Sequence, residues 1–327
     1  MKSLSIKKQK ILNILKANKG QAISGIDIGE NIGISRAMVW KYIKSLKNAG
    51  YEIESIKKKG YILKQSPDFL YPEEVKNGLK TTLIGKNIYY FEDIESTNLI
   101  AKQKAHKFQE GTVIIAETQY SGYGRMGRTW ESPAGGIWFS IILKPVIPLA
   151  HLSRLTIMTG NAVMECMKSF NFPNAPCIKW PNDIIINGKK VCGILTEVNA
   201  ELDAINFVII GIGINANNSI FSPDIEDSAT SLKSELGISI NRIKFLQNLL
   251  FELEQEYIKL MTLPFSKMIE KWTYNSETIG KQVVVRMHDK TIEGVAIGLS
   301  DEGGLIIEKN NKEKVVVLAG DCLLKYD

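Results

Sequence analysis

Four short stretches in the middle of the chain combine cations, a carboxylate and glycines in ways that could do chemistry on anions. The first is Gly122-Tyr123-Gly124-Arg125-Met126-Gly127-Arg128. Its glycines permit close backbone approach, and its two arginines supply fixed positive charge. Such a loop can wrap a phosphate or a carboxylate with backbone N–H groups and guanidinium forks. No Gly-Lys-Ser/Thr follows, so it is not a P-loop, and its spacing and context exclude a dinucleotide-binding fingerprint. As a bare pattern it is more often a solvated turn. The second stretch, Lys179-Trp180-Pro181-Asn182-Asp183, sets a cation and a carboxylate four positions apart around a proline-fixed turn. The third, Lys189-Lys190-Val191-Cys192-Gly193-Ile194-Leu195, puts Lys190 seven residues after Asp183. An Asn187-Gly188 hairpin turn would hold the two on neighbouring strands, although the same pattern also describes an ordinary hairpin with exposed lysines. The fourth, Gly211-Ile212-Gly213-Ile214-Asn215, ends an apolar strand and suits either a nucleotide edge or a packed kink.

The elements that must position these groups are legible from periodicity. Strand patterns fall at NIYYFE, TVIIAET, IWFSIIL, CIKW, DIIIN, CGILTEV and NFVIIGIGIN, and helical patterns at 98–107, 152–169 and 241–261. This mixed α/β stretch runs over roughly 76–275. From about Gly280 the chain changes to short alternating segments, QVVVRM, TIEGVAIGL, GLIIE and KVVVL, broken by Asp, Gly and Asn. Several short strands in so few residues predict a small β-barrel. No internal repeat or low-complexity tract is present.

The N-terminal 65 residues have a different character. Lys and Arg far outnumber Asp and Glu there, while the whole chain carries only +6, so the remainder is close to neutral. A basic block beside a near-neutral body points to a nucleic-acid module joined to something else. Ile6, Ile11, Ile14 and Leu15 predict a first helix over about 5–17, ended by Gly20. Ser24 can N-cap a short second helix carrying Ile26, Ile28 and Ile32, and Gly33 supplies a tight turn. Ser35 can cap a third helix over 36–47, apolar at Val39, Ile43 and Leu46 and basic at Arg36, Lys41, Lys44 and Lys47. YEIESI and YILKQ, joined by the turn that holds Lys58, read as a hairpin wing suited to phosphate contacts. This order is that of a winged helix-turn-helix, with a basic three-helix interaction domain as the plainer reading. Residues 66–75, with two prolines and several acids, read as a linker.

Composition narrows the function classes. Apolar residues make up 44% and charged residues 23%, enough for real cores in two or three domains. No apolar run reaches the roughly 20 residues needed to cross a bilayer, and the N-terminus lacks a continuous hydrophobic signal region, so a cytoplasmic protein without a membrane role is expected. Cys166, Cys177, Cys192 and Cys322 form no CxxC pair, which suits reduced thiols and argues against a zinc site or a disulfide framework. His106, His151 and His288 are too scattered for a histidine metal site.

In order along the chain, Ser96-Thr97-Asn98, Gln119, the glycine/arginine loop, Lys-Trp-Pro-Asn-Asp, Lys-x-x-Gly-Ile-Leu and Gly-x-Gly-Ile-Asn resemble the bacterial biotin–protein ligases. SGIDIGENIGISRAMVWKYIKSL resembles the winged helix of their bifunctional members, the biotin operon repressors, and the C-terminal segment their SH3-like domain. The resemblance covers nearly the whole chain. It implies a multidomain α+β protein: a winged helix-turn-helix over 1–65, a central α/β ligase domain with a mixed sheet over 66–275, and an SH3-like barrel over 276–327. It implies an enzyme that forms biotinyl-5'-AMP from biotin and ATP with Mg²⁺ and passes biotin to a lysine of a biotin carboxyl carrier protein or other biotin-dependent carboxylase. The adenylate would serve as corepressor on operator DNA, with a homodimer forming when it is bound.

The resemblance also assigns roles. Ser96, Thr97, Asn98, Gln119, Tyr123, Gly124, Arg125, Lys190 and Gly193 would bind biotin. Arg128, Lys179, Asn182 and Asn215 would serve ATP and the adenylate. Lys190, Arg125, Lys179 and Asp183 would be catalytic, with Asp183 helping to hold Mg²⁺. Ser35, Arg36, Lys41, Lys44, Lys47 and Lys58 would meet DNA. The family loop usually has Arg where Tyr123 stands, which leads to the expectation that biotinyl-AMP leaks somewhat faster here. A lipoate or other carboxylate ligase on a related fold, and a non-catalytic biotin-sensing DNA-binding regulator, are the competing readings. Lys-Trp-Pro-Asn-Asp with the SH3-like tail disfavours the first, and intact Arg125, Lys179, Asp183 and Lys190 the second.

Overall fold

A computed structural model describes residues 6–18, 20–201, 204–287 and 289–325. Ser5, at the expected start of the first helix, and His288 lie outside the described residues. The chain divides into two compact units, Met1–Glu74 and Val75–Asp327.

The first unit holds helices α1 (Ile6–Ala17), α2 (Gly25–Ile32) and α3 (Arg36–Asn48), then strands β1 (Glu52–Ile56) and β2 (Gly60–Gln65), and closes within α4 (Pro72–Lys76). Both expected N-caps form. Ser24 accepts from the Asp27 N–H and Ser35 from the Met38 N–H, at 3.1 and 3.3 Å, each worth about 1 kcal/mol of helix stability. Gly33 turns the chain between α2 and α3 in the left-handed region, at φ 69°. Ile11, Leu15, Ile28, Val39, Ile43 and Leu46 are buried and make the core. β1 and β2 pair antiparallel as the wing. The segment read as a linker packs onto this unit instead of hanging free. Leu70 and Tyr71 are buried, Tyr71 stacks on Tyr51, and Glu74 takes bonds from Tyr51 Oη at 2.8 Å and Lys16 Nζ at 2.6 Å. Buried Leu70, Tyr71 and Pro72, with the Glu74 bonds, decide its place.

The second unit is built on a sheet of seven strands: β3 (Ile88–Ile94), β4 (Thr112–Gln119), β5 (Ile137–Leu143), β6 (Cys177–Lys179), β7 (Asp183–Ile186), β8 (Lys189–Glu201) and β9 (Ala204–Ile214), in the order β3-β4-β5-β9-β8-β7-β6. β3 and β4 run parallel and the other pairs antiparallel, so the sheet is mixed as expected. Strand alternation puts Ser140 of β5, Gly193, Leu195 and Glu197 of β8, and Ile209, Gly211 and Gly213 of β9 on one face. Helix α5 (Thr97–Lys104) covers part of that face through Ala101 and Ala105 against Ile114, Ile142, Phe207 and Ile209. Helix α6 (Ser153–Met167) lies on the other face, where Thr156 meets Thr196 at 2.9 Å. Next in the chain come α7 (Leu232–Leu236), α8 (Arg242–Thr262) and α9 (Ser266–Tyr274), the last two packing on α6. α7 and α9 had no expected counterpart.

The C-terminal strands β10 (Gln282–Arg286), β11 (Thr291–Leu299), β12 (Leu305–Glu308), β13 (Lys314–Val317) and β14 (Asp321–Leu324) form the expected small antiparallel β domain, in the order β13-β12-β11-β10-β14. β14 was not foreseen. It matters, because it carries Asp321 to the functional site. The loop after β11 docks on the start of α6, where Ser153 Oγ donates to Glu302 O and Arg154 Nε to Asp301 O.

Candidate active site and basic face

A cavity of about 610 Å³ opens on the α5 face of the central sheet. Every residue expected to bind or transform a small molecule lines it: Ser96, Thr97, Asn98, Gln119, Tyr123, Gly124, Arg125, Arg128, Lys179, Asn182, Asp183, Lys190, Gly193 and Asn215. Its floor explains the strand glycines. Gly193 and Gly213 face each other across β8 and β9, and the Trp130 indole lies against both. A methyl at Gly213 would overlap the Trp130 indole nitrogen, and one at Gly211 would overlap the Asn98 amide. Glycine inside a strand here marks close approach, not a kink.

One end of the cavity is neutral and closely bonded. Gln119 Oε1 accepts from the Thr97 N–H at 2.7 Å and faces Thr97 Oγ1 at 3.1 Å, while Gln119 Nε2 donates to Ser132 Oγ at 2.8 Å. Ser140 Oγ lies 2.5 Å from Asn98 Oδ1 and 2.7 Å from Thr97 Oγ1. An amide oxygen cannot donate, so the single Ser140 proton goes to Asn98. Thr97 then donates either to Ser140 or to Gln119. Asn98 Nδ2 donates to Glu197 Oε2 at 2.7 Å. Asn98 and Gln119 therefore brace the site with both ends of their amides. Ser96 precedes α5 without spending its hydroxyl on a cap, which leaves that group to the cavity. Burial of this end rests on Ser96, Thr97, Asn98 and Ser140, all nearly inaccessible. Below it, Arg242 Nη1 donates to Glu117 Oε2 at 3.0 Å and Gly136 O at 2.7 Å, fixing the part of β4 that carries Gln119.

The other end is charged. Asp183 and Lys190 meet as an ion pair, Nζ to Oδ1 2.6 Å, and this oxygen has no other partner. The Asn187-Gly188 turn forms as expected, at φ 51° and 74°. It does not suffice on its own. The β7–β8 register shifts by one residue, so Ile184 faces Cys192 while Ile185 faces Lys190. Without that bulge Lys190, three positions before Gly193, would point to the opposite face. With it, the Lys190 side chain lies over Gly193, its ammonium 4.9 Å from the centre of the Trp130 ring. Lys179 pairs with Asp183 in the β6–β7 hairpin and lines the same end. Asn182 donates through Nδ2 to Ile194 O at 2.7 Å and accepts from Arg125 at 3.2 Å, so it holds the hairpin and the loop together. Asn215 is buried at the end of β9, its Oδ1 accepting from Asn218 at 3.0 Å.

The glycine/arginine loop bridges the two ends. Its limbs are joined at Gln119–Ser132 and Tyr123–Thr129, with Gly124 N–H bonded to Arg128 O at 2.8 Å. At its tip Met126 and Gly127 take left-handed backbone. Arg125 reaches Asn182 and Gly320 O, and Arg128 pairs with Asp321 of β14. Burial lowers the Arg125 guanidinium from its ordinary value, opposed by Asp321 and Asp183; it remains a cation. Tyr123 Oη donates to Glu197 Oε2 at 2.9 Å. Burial, then Glu197, pushes this phenol up, so it stays a donor.

Sequence reasoning missed Trp130, Ser140, Glu197 and Asp321. Ser140 had a visible signal, as the one polar residue within the run IWFSIIL. Burial pushes Cys322, at the cavity edge, up to about 11, and Cys192 also up. Among the described residues no cluster of three or more His, Cys, Asp or Glu could hold a metal by itself, and no helix is long and apolar enough to cross a membrane.

In the first unit, Ser35, Arg36, Lys41, Lys44 and Lys47 of the third-helix region and Lys58 at the wing tip are all exposed. The Ser35 hydroxyl is engaged as the N-cap, and Lys47 Nζ bonds Ser55 Oγ at 3.2 Å. Trp40, also missed, stands 57% exposed on this face under Lys44. A basic helix face carrying one large aromatic is suited to phosphates and base edges together.

Comparison with known proteins agrees with this division. Residues 7–62 match an HTH domain, 90–215 the biotin/lipoate A/B protein ligase family and 278–325 the biotin protein ligase C-terminal domain. The bifunctional ligase/repressor BirA of Bacillus subtilis is 38% identical over 94% of this chain and 96% of its own length. Its counterpart from Escherichia coli is 26% identical over 89% of each chain. Among solved structures, a biotin protein ligase from Aquifex aeolicus in complex with biotin and ATP superposes with TM-score 0.65 at 28% identity, over 74% of this chain and all of that one.

Proposed function

The chain belongs to the family of bifunctional biotin–protein ligase/repressors, and on that premise we propose that it activates biotin with ATP, transfers it to a lysine of a biotin carboxyl carrier protein or another biotin-dependent carboxylase, and represses transcription on operator DNA with biotinyl-AMP as corepressor. The observation that carries the catalytic half is one cavity with a neutral hydrogen-bonding end and a cationic end, floored by glycines. Biotin has the same polarity: a ureido head that needs paired donors and acceptors, and a carboxylate that needs cations.

Ser96, Thr97 and Gln119 bind the head, with Asn98 bracing them, and Gly193 lets Lys190 and Trp130 lie close to the sheet beside the biotin chain. A site whose buried polar groups require partners rejects a plain fatty acid. Lys190 holds the carboxylate beside the α-phosphate. The carboxylate oxygen attacks the α-phosphorus, the bond to the β-phosphate oxygen breaks, and pyrophosphate leaves. Two anions must meet in this step. Lys190, Arg125, Arg128 and Lys179 neutralise them and the developing phosphorane charge. Asn215 and Asn182 bound the nucleotide side. Asp183, whose Oδ1 meets only the Lys190 ammonium, would give that carboxylate to Mg²⁺ once Lys190 turns to the incoming anions, since that ion commonly takes one or two carboxylates and otherwise phosphate and water. Bound there, it would supply further charge neutralisation. Tyr123 and Gly124 cover the adenylate and keep water from the anhydride. The acceptor lysine amine then attacks the carbonyl carbon, AMP leaves with the anhydride oxygen, and the amine loses a proton.

Arg36, Lys41, Lys44 and Lys47 enter the major groove, and Lys58 meets phosphate in a cytoplasmic protein that dimerises when the adenylate is bound. The work is divided as the sequence suggests, with the first boundary moved: DNA binding in the unit that ends at Glu74, catalysis in 75–275, and support of the nucleotide side by 276–327. The test is transfer of labelled biotin to a purified carrier domain with ATP and Mg²⁺. Lys190→Ala should slow adenylate formation by about 10²–10³-fold. A folded wild type that binds biotin but labels nothing would overturn the enzyme and leave a sensing regulator.

A further inference from the structure

We infer that Tyr123 is a positioning residue whose hydroxyl, bonded to Glu197, clasps the glycine/arginine loop onto the central sheet over the bound adenylate. The inference rests on the site assignment above and goes beyond it.

The loop is tied at two places of different kinds. On one side Arg125 and Arg128 reach Asn182, Gly320 O and Asp321. These ties use the same cations that the phosphates require, so ligand must rearrange them. On the other side Tyr123 Oη donates to Glu197 Oε2 at 2.9 Å. A neutral phenol has no charge for phosphate to compete for, so this tie survives when the arginines turn inward. Glu197 is itself held. Its Oε2 also accepts from Asn98 Nδ2 at 2.7 Å, and its Oε1 faces Lys102 Nζ at 3.8 Å. Asn98 in turn bonds Ser140 beneath the neutral end. Loop position is therefore joined by hydrogen bonds alone to the groups that meet the biotin head. Burial and Glu197 both keep the phenol protonated, so the donor persists across the working pH range. The faster leak expected from replacing an arginine by Tyr123 is opposed by this clasp.

Tyr123→Phe removes the bond and keeps the ring. In the full-length protein the dissociation rate of preformed biotinyl-AMP, chased with unlabelled adenylate, should rise about five- to tenfold, the scale of one hydrogen bond to a half-buried carboxylate. Trypsin should also cut the adenylate-loaded variant faster after Arg125 and Arg128, at an unchanged melting temperature. Glu197 also serves Asn98, so the pair is read the other way: Tyr123→Phe should raise the dissociation rate less in a Glu197→Gln background than in wild type, as for partners in one bond. A dissociation rate and cleavage rate equal to wild type in Tyr123→Phe overturn the clasp and leave the site assignment standing. A wild type that forms no adenylate overturns both.

Discussion

The two ends of the cavity are built on opposite plans. At the neutral end each group sits on a strand or a helix start and already has partners: Thr97, Asn98 and Ser140, all nearly inaccessible, form one bonded set with the half-buried Gln119. At the charged end the groups sit at strand ends or on the glycine/arginine loop, are partly exposed, and hold anions of the protein's own: Asp183 on Lys190 and Asp321 on Arg128. The first plan is preorganisation, in which the ligand must match a fixed pattern. The second is exchange, in which an incoming anion replaces one already present. Specificity belongs to the rigid end, and charge handling to the adaptable one.

The largest effect on ligand affinity should come from damage to the rigid end. Ser140→Ala removes the middle of the bonded set and orphans the Asn98 oxygen. Biotin affinity should fall roughly 10- to 100-fold, from about 1–3 kcal/mol for a buried group left unsatisfied. The loss should not depend on ionic strength, because no charge is involved. Titration calorimetry at low and high salt measures both. A loss that changes with salt would show that the neutral end depends on charge after all, and would break the comparison.

Legibility in the sequence followed the same divide. The sheet, the principal helices, both N-caps of the first unit and the Asn187-Gly188 turn were readable, because apolar period and turn chemistry are local. The four chemical stretches were readable as patterns, and the resemblance gathered them into one site. What could not be read was facing. The register shift that turns Lys190 over Gly193 depends on pairing between β7 and β8, not on any residue type in either. Glu197 and Ser140 share a face with Asn98 only through the β5-β9-β8 order. Asp321 sits on a four-residue strand that follows Gly320, too short for periodicity to reveal. The burial of Leu70, Tyr71 and Pro72 likewise overrode a segment whose composition spelled linker.

A smaller effect should come from the adaptable end. Arg128→Gln keeps a polar side chain and removes the charge. KM for ATP should rise about three- to tenfold, more than the affinity for biotin falls, and the difference should shrink as salt rises because exposed charges are screened. Steady-state kinetics at 50 and 300 mM salt (about 14 and 6 Å of screening length) would resolve it. Equal effects on both substrates would mean that Arg128 holds the loop rather than the nucleotide.

The smallest predicted effect has the opposite sign. If Asp321 is a stand-in for phosphate, its charge competes with ATP for Arg128, and Asp321→Asn should tighten ATP binding. The pair is partly exposed, 63% for the arginine side chain and 30% for the aspartate, so its strength is no more than about 1 kcal/mol. The gain is therefore at most about fivefold, and it should vanish at high salt. The asparagine keeps the shape and an acceptor for Arg128, so docking of β14 is retained while the competing charge is gone. Calorimetry of ATP binding to the full chain separates two roles. Tighter binding identifies an exchanged anion. Weaker binding identifies Asp321 as a brace that aims Arg128 at the nucleotide, and the charged end would then be preorganised like the neutral one.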